Sequence, residues 1–135
     1  MPLTPTQAQV EALAADDSGE PIVMLNLLRF KDEADGIDAG VSGAEAYMRY
    51  GAAVVPFLEA VGGRLLQAVE TKQSVIGPEA PEWDMVLLVE YPSRQAFLTM
   101  ATDPEYLKIH AHRDAGLADS RLVVCGAPTP PWPIR

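Results

Sequence analysis

Two runs of strand length, residues 21–30 (PIVMLNLLRF) and 83–91 (WDMVLLVEY), are apolar at odd and even positions alike. Successive side chains of a strand point to opposite faces, so a run of this kind has two faces to cover. In the first run Val23, Leu25 and Leu27 share one face and Ile22, Met24 and Leu28 the other. In the second, Met85, Leu87 and Val89 oppose Val86 and Leu88. Helices packed on one side of a single sheet leave the other side bare. Either a second copy pairs with it sheet to sheet, or another element of the chain folds over it.

The pattern around these runs gives the order of elements. Residues 4–15 read as a helix with Thr4 as cap and Pro5 at its first position. Residues 31–43 form a long polar loop, of the kind that is either a lid or a mobile connection. Tyr47, Tyr50 or Gly51, Val54, Leu58 and Val61 recur at three- and four-residue spacing, which predicts a helix over 44–61. Pro56 implies a kink or a local break in it, and Gly62-Gly63 ends it. The more polar stretch 64–76 reads as an edge strand. Ser93 caps one short helix, and Asp103 with Pro104 opens a second that runs to about residue 118. A last strand follows at 121–125, and a proline-rich tail at 127–135. Without the leading helix the order is βαββαβ, an α+β arrangement of four antiparallel strands with the two apolar runs at its centre. Residues 1–126 thus read as one domain.

Charge narrows the partners. With ten Lys and Arg against nineteen Asp and Glu, net −9, the chain has no basic stripe for nucleic acid or an anionic membrane. No apolar stretch approaches a membrane span, and the single Cys125 sits in an apolar run where it cannot form an internal disulfide. A cytoplasmic address is the default expectation. No metal-ligand spacing, Walker loop or dinucleotide glycine pattern is present, so neither metal nor cofactor is expected. His110 and His112 are two apart and point to different sides of a helix.

Polar residues within apolar elements carry the remaining signal. Asn26 interrupts the first apolar run and Glu90 the other. Tyr106, Ile109, His110, Arg113 and Leu117 form one stripe of the last helix, and Tyr47 and Tyr50 share the buried face of the long one. For each residue alone core packing is the simpler reading, and Arg113 paired with Glu90 or Asp119 would be structural. Together they bring phenols, an amide, a carboxylate, an imidazole and a guanidinium towards one apolar layer, the usual composition of a small-molecule pocket. One reading is a cofactor-independent enzyme acting on a small carboxylate or carbonyl compound. Arg113 would hold the anion, His110 or Glu90 would move a proton, and Asn26, Tyr47 and Tyr50 would line the pocket. The other is a dimeric protein that binds a metabolite without turnover.

The segments PIVMLNLLRFK, AYMRYGAAVVPFLEAVGGR, EWDMVLLVEYPSRQAF and DPEYLKIHAHRDAGLADSRLVV resemble domain-of-unknown-function family 1330, over roughly residues 21–126. That family belongs to the dimeric α/β-barrel superfamily of ferredoxin-like domains. The resemblance implies a ferredoxin-like fold and a homodimer, and it implies no particular reaction. Relatives in the superfamily include cofactor-free monooxygenases, isomerases, cyclases and haem-binding enzymes, so the fold is a poor guide to chemistry. Within the resembling segments Arg113 and a turn at Asp119-Ser120-Arg121 are the recognisable polar points.

Overall fold

A computed structural model describes residues 3–16 and 18–126. Helix α1 (Gln7–Ala15) precedes strand β1 (Ile22–Phe30), then a short 3-10 turn (Gly36–Asp38), helix α2 (Gly43–Ala60) and strand β2 (Arg64–Glu70). Strand β3 (Met85–Tyr91), helices α3 (Arg94–Ala101) and α4 (Pro104–Gly116) and strand β4 (Leu117–Cys125) complete the order. The sheet runs β2-β3-β1-β4, so the two apolar strands are central and antiparallel to their neighbours, as their composition implies. The proline-rich tail lies outside the described residues.

Strand parity sorts the core. Ile22, Met24 and Leu28 of β1, with Met85, Leu87, Val89 and Tyr91 of β3, face the helices. There they meet Tyr47, Tyr50, Val54, Leu58, Met100, Tyr106 and Leu117. Leu28 and Leu117 are fully buried. Leu3 and Leu13 pack against the same cluster, so α1 lies with the other helices beside α3. The opposite face carries Leu25, Leu27, Val86 and Leu88, half-buried, and Val123, 46% exposed. The alternative that the leading helix covers that face is therefore excluded. At one end of it the guanidiniums of Arg29 and Arg121 both lie over the Trp83 ring, 5.4 and 5.0 Å from its centre.

Local chemistry explains where the elements differ from expectation. The leading helix is capped by Thr6, because Thr6 and Gln9 close a reciprocal capping box that Thr4 cannot form. Pro56 does not break α2 into two helices. Pro56 and Ala52, whose carbonyl loses its partner, are both on the exposed side, where water satisfies the orphan. No turn occurs at Asp119-Ser120-Arg121. Pairing of Leu117 with Phe30 and of Asp119 with Arg29 across a bulge draws the chain into the sheet directly after α4.

The 31–43 segment is tied down rather than loose. Asp38 is 2% exposed, and its carboxylate accepts from Arg49 of α2 at 2.6 Å and meets His112 Nδ1 of α4 at 2.7 Å. Its ends are pinned by backbone bonds: Lys31 N–H donates to the Gly116 carbonyl (2.8 Å) and Gly43 N–H to the Lys31 carbonyl (3.1 Å). A Cβ on Gly43 would strike the Lys31 and Gly116 carbonyls, and one on Gly116 the Gly43 carbonyl. Only glycine permits this approach of α2 to α4. Among the described residues, no helix is long and apolar enough to cross a membrane.

Two measurements follow. Gly116→Ala should lower stability by about 1–3 kcal/mol in urea titration, because backbone on both sides must move. Burial alone would raise the Asp38 pKa, but the hydrogen bonds from His112 and Arg49 hold it below its ordinary 3.8. Its stabilisation is therefore present above that value and is lost as the pH falls through the lowered folded value. Asp38→Asn should flatten this part of the acid limb of a stability–pH curve.

Candidate functional site

The side chains that converge between sheet and helices come from three elements. The Ser42 cap and the spacing of α2 set Tyr47 and Tyr50 on its sheet-facing side. The Asp103 cap starts α4 so that Tyr106, His110 and Arg113 follow at helical spacing. Tyr91 enters from the end of β3. All four tyrosines of the chain thus share one core cluster. The rings of Tyr47, Tyr50 and Tyr106 form an unbroken row with Phe30 and His110, while Tyr91 packs edge-on against Phe97 at 5.2 Å. Centroid separations are 5.6 Å for Phe30–Tyr47, 5.4 Å for Tyr47–Tyr50, 6.3 Å for Tyr50–Tyr106 and 5.7 Å for Tyr106–His110.

The polar groups in this row are mostly donors. The Tyr50 and Tyr106 hydroxyls lie 2.8 Å apart, a bond that uses only one of their two protons. Burial raises the Tyr47 pKa to about 12, against the opposing charge of Arg113. Burial likewise raises Tyr50, Tyr91 and Tyr106, so all four phenols stay protonated at neutral pH. Arg113 is 7% exposed, and its Nη1 donates to the Leu3 carbonyl at 3.1 Å. His110 is depressed, chiefly by burial, while Asp114, with Oδ2 3.3 Å from Nδ1, pulls the other way. The imidazole is therefore neutral near pH 7, with a carboxylate orienting it. The other Asp114 oxygen, Oδ1, is buried without a hydrogen-bond partner among the described residues.

Not every expected residue joins the group. Asn26 lies on the helix-facing side, half-buried, and its amide donates to the Met24 carbonyl at 3.3 Å. Glu90 does not join it. It pairs in register with Val23, so it stands on the opposite face of the sheet, bonded to Arg64 at 2.9 Å. The sheet separates it from His110, and the two cannot act on one ligand. Arg113 pairs with neither Glu90 nor Asp119, since Asp119 is held by Arg121 at 2.8 Å and lies 3.9 Å from Arg29. His112 turns away to Asp38, as its position two residues from His110 requires. Among the described residues, no group of three or more His, Cys, Asp or Glu could hold a metal ion.

The open space lies beside the tyrosine row. A cleft of about 450 Å³ opens between the start of α2 and the ends of β1, β2 and β3. Phe30, Ala44, Met48 and Met85 form its apolar walls, with Glu70, Thr71 and Asp84 as polar groups. Asp84 Oδ2 accepts from the Phe30 N–H at 2.8 Å, and Thr71 Oγ1 donates to the Trp83 carbonyl at 2.6 Å, so both brace the strand ends. Phe30 is shared, lining the cleft with its ring against Tyr47. Neither this cleft nor the Asp38 clamp was visible in the sequence, since both join segments distant in the chain and no periodicity marks them.

Tyr50→Phe should cost about 1–2 kcal/mol by leaving Tyr106 short of its partner, and Tyr50→Phe with Tyr106→Phe less than the sum of the two. Denaturant titration of the three variants reads this directly. Because the folded His110 pKa is depressed, its neutral form stabilises the fold above the ordinary 6.5. That contribution is lost as the pH falls below 6.5 towards the depressed value, and His110→Gln should remove the corresponding slope.

Comparison with known proteins places this geometry. The family model described as "Domain of unknown function (DUF1330)" matches residues 37–127. A protein of unknown function from Rhodopseudomonas palustris is 38% identical, with a TM-score of 0.87 over 95% of this chain and 98% of that one. SnoaB, a cofactor-independent oxygenase from Streptomyces nogalater, shares the fold at 14% identity. Its TM-score is 0.55 over 82% of this chain and 96% of its own. A dimeric protein of unknown function and ferredoxin-like fold from Bacteroides fragilis matches at 11% identity. Its TM-score is 0.53 over 82% of this chain and 98% of that one. Among curated proteins none matches. The family model and the Rhodopseudomonas palustris likeness agree with the four-stranded sheet and its helices: the chain belongs to the DUF1330 family.

Proposed function

We propose that the protein is a homodimer that binds a small carboxylate- or carbonyl-bearing organic molecule, without a cofactor, in the layer between its sheet and its helices. The observation that carries this is the donor-rich interior: four protonated phenols and a buried guanidinium gathered on apolar walls. Such a group favours a ligand that supplies acceptor oxygens. Arg113 holds the anion, the tyrosine hydroxyls orient the carbonyl or carboxylate, and His110, kept neutral and backed by Asp114, accepts a proton. The 450 Å³ cleft is lined by none of these tyrosines, nor by His110 or Arg113, and meets the row only at Phe30, whose ring abuts Tyr47; the ligand approaches past that ring. That one relative in fold is a cofactor-independent oxygenase fits chemistry of this kind without deciding it.

A second reading, binding without turnover, is favoured by the placement of Glu90. With that carboxylate on the far face of the sheet, one of the two groups expected to move a proton is out of reach of the ligand, which leaves that role to His110 alone.

The dimer reading rests on the apolar face of the sheet that the described residues leave uncovered and is supported by the description of the Bacteroides fragilis relative as dimeric. Light scattering at micromolar concentration should give a dimer, and Leu88→Lys, central on that face, a monomer. For the site, benzoate and pyruvate are suitable probes in thermal-shift titration. Both should raise the melting temperature of the native chain. Tyr106→Phe should weaken binding about tenfold, as the loss of one hydrogen bond implies, and Arg113→Met should abolish it. Equal binding to Arg113→Met would overturn the assignment.

A further inference from the structure

Helix α1 is held lightly. None of its residues is buried, and its capping box is made within the segment itself. Its links to the body are few. Leu3 and Leu13 pack against the tyrosine core, Gln95 reaches the Ala14 carbonyl at 3.5 Å, and Arg94 faces Asp16 at 3.4 Å. The first of these polar links is at the limit of a hydrogen bond, and the second is a partly exposed ion pair that adds little.

The remaining link is chemically specific. The Leu3 carbonyl accepts from Arg113 Nη1, the guanidinium to which a ligand anion is assigned above. A buried guanidinium needs an acceptor at all times. In the chain alone, an amide oxygen of the N-terminal segment serves. A carboxylate is a better acceptor than a neutral carbonyl, because its bond to Arg is charge-assisted and can be bidentate. Exchange of one oxygen for the other leaves Arg113 satisfied throughout, and the released segment regains conformational freedom.

We propose that residues 3–16 form a strap over the tyrosine–arginine site, with the Leu3 carbonyl occupying the place of the ligand's oxygen, and that an entering carboxylate displaces it. The ligand half of this statement rests on the binding reading above, while the strap itself rests on the Leu3–Arg113 contact and the light packing of α1. The strap gives the site a competitive gate inside its own chain. A ligand must exceed the local concentration of a tethered carbonyl, so affinity is set partly by how firmly Leu3 and Leu13 seat.

The full-length chain tests this in a Cys125→Ser background. Ala14→Cys with Gln95→Cys, bridged by a short thiol crosslinker, fastens the strap, and Leu13→Asp loosens it. Two readouts are taken: the rate of nitration of Tyr50 and Tyr106 by tetranitromethane, which needs no ligand, and benzoate affinity by calorimetry. Fastening should slow nitration about tenfold relative to the same double-cysteine chain with its thiols capped by iodoacetamide, so that tetranitromethane cannot oxidise them to a disulfide, and Leu13→Asp should speed it about tenfold. Benzoate affinity should follow the same order. Equal nitration in the bridged and unbridged chains would overturn the strap, as would benzoate affinity indifferent to the bridge. Nitration that follows the strap with no benzoate binding in any form would uphold the strap and reject the anion site. Since the bridged and unbridged chains differ only in the crosslink, that comparison stands even where Leu13→Asp unfolds the protein.

Discussion

Three backbone segments meet where Lys31 donates to Gly116 and accepts from Gly43. This junction joins the end of the central strand β1, the start of α2 and the end of α4. It exists only because two residues there lack side chains, so that helix backbones touch where side chains would hold them apart. With their ends fixed to the same strand, the two helices present Tyr47 and Tyr50 opposite Tyr106 and His110 at ring-contact distance. The Asp38 carboxylate adds a second tie, bonded to one residue on each helix. The interior of the layer inherits its geometry from these ties, and an imprecise junction would separate the aromatic row.

Period and parity made much of this legible. Central strands apolar on both faces, an edge strand with polar residues, helix starts at Ser93 and Asp103, and the tyrosine and arginine stripes all follow from spacing along one element. Parity along β3 also bears on Glu90. Met85, Leu87 and Val89 share the helix-facing side, so Glu90 had to lie opposite, and its grouping with His110 came from counting polar residues without following the pleat. What the sequence hid involves pairs with no local signature. Asp38 is one acid among several in a polar loop, and only tertiary packing buries it between a guanidinium and an imidazole. Arg113 meets a backbone carbonyl, a partner that has no residue type to recognise. The early entry into β4 is a tertiary effect as well, because pairing with β1 outweighs local helix preference.

The two faces of the sheet divide the chemistry. The helix-facing side gathers hydroxyls and one guanidinium in an apolar setting, and burial keeps the phenols neutral. The opposite side places its ions in pairs, Arg64 with Glu90 and Arg121 with Asp119, among exposed valines and half-buried leucines. Paired ions of this kind set the orientation of an apolar contact more than its strength.

The row of rings has a consequence for how this chain changes over time. A hydroxyl lost at Tyr50 or Tyr106 strips the other of its partner, so these two phenols change together. Drift at single positions is resisted there, while a coordinated replacement by apolar residues would convert the interior to plain core and leave the fold standing.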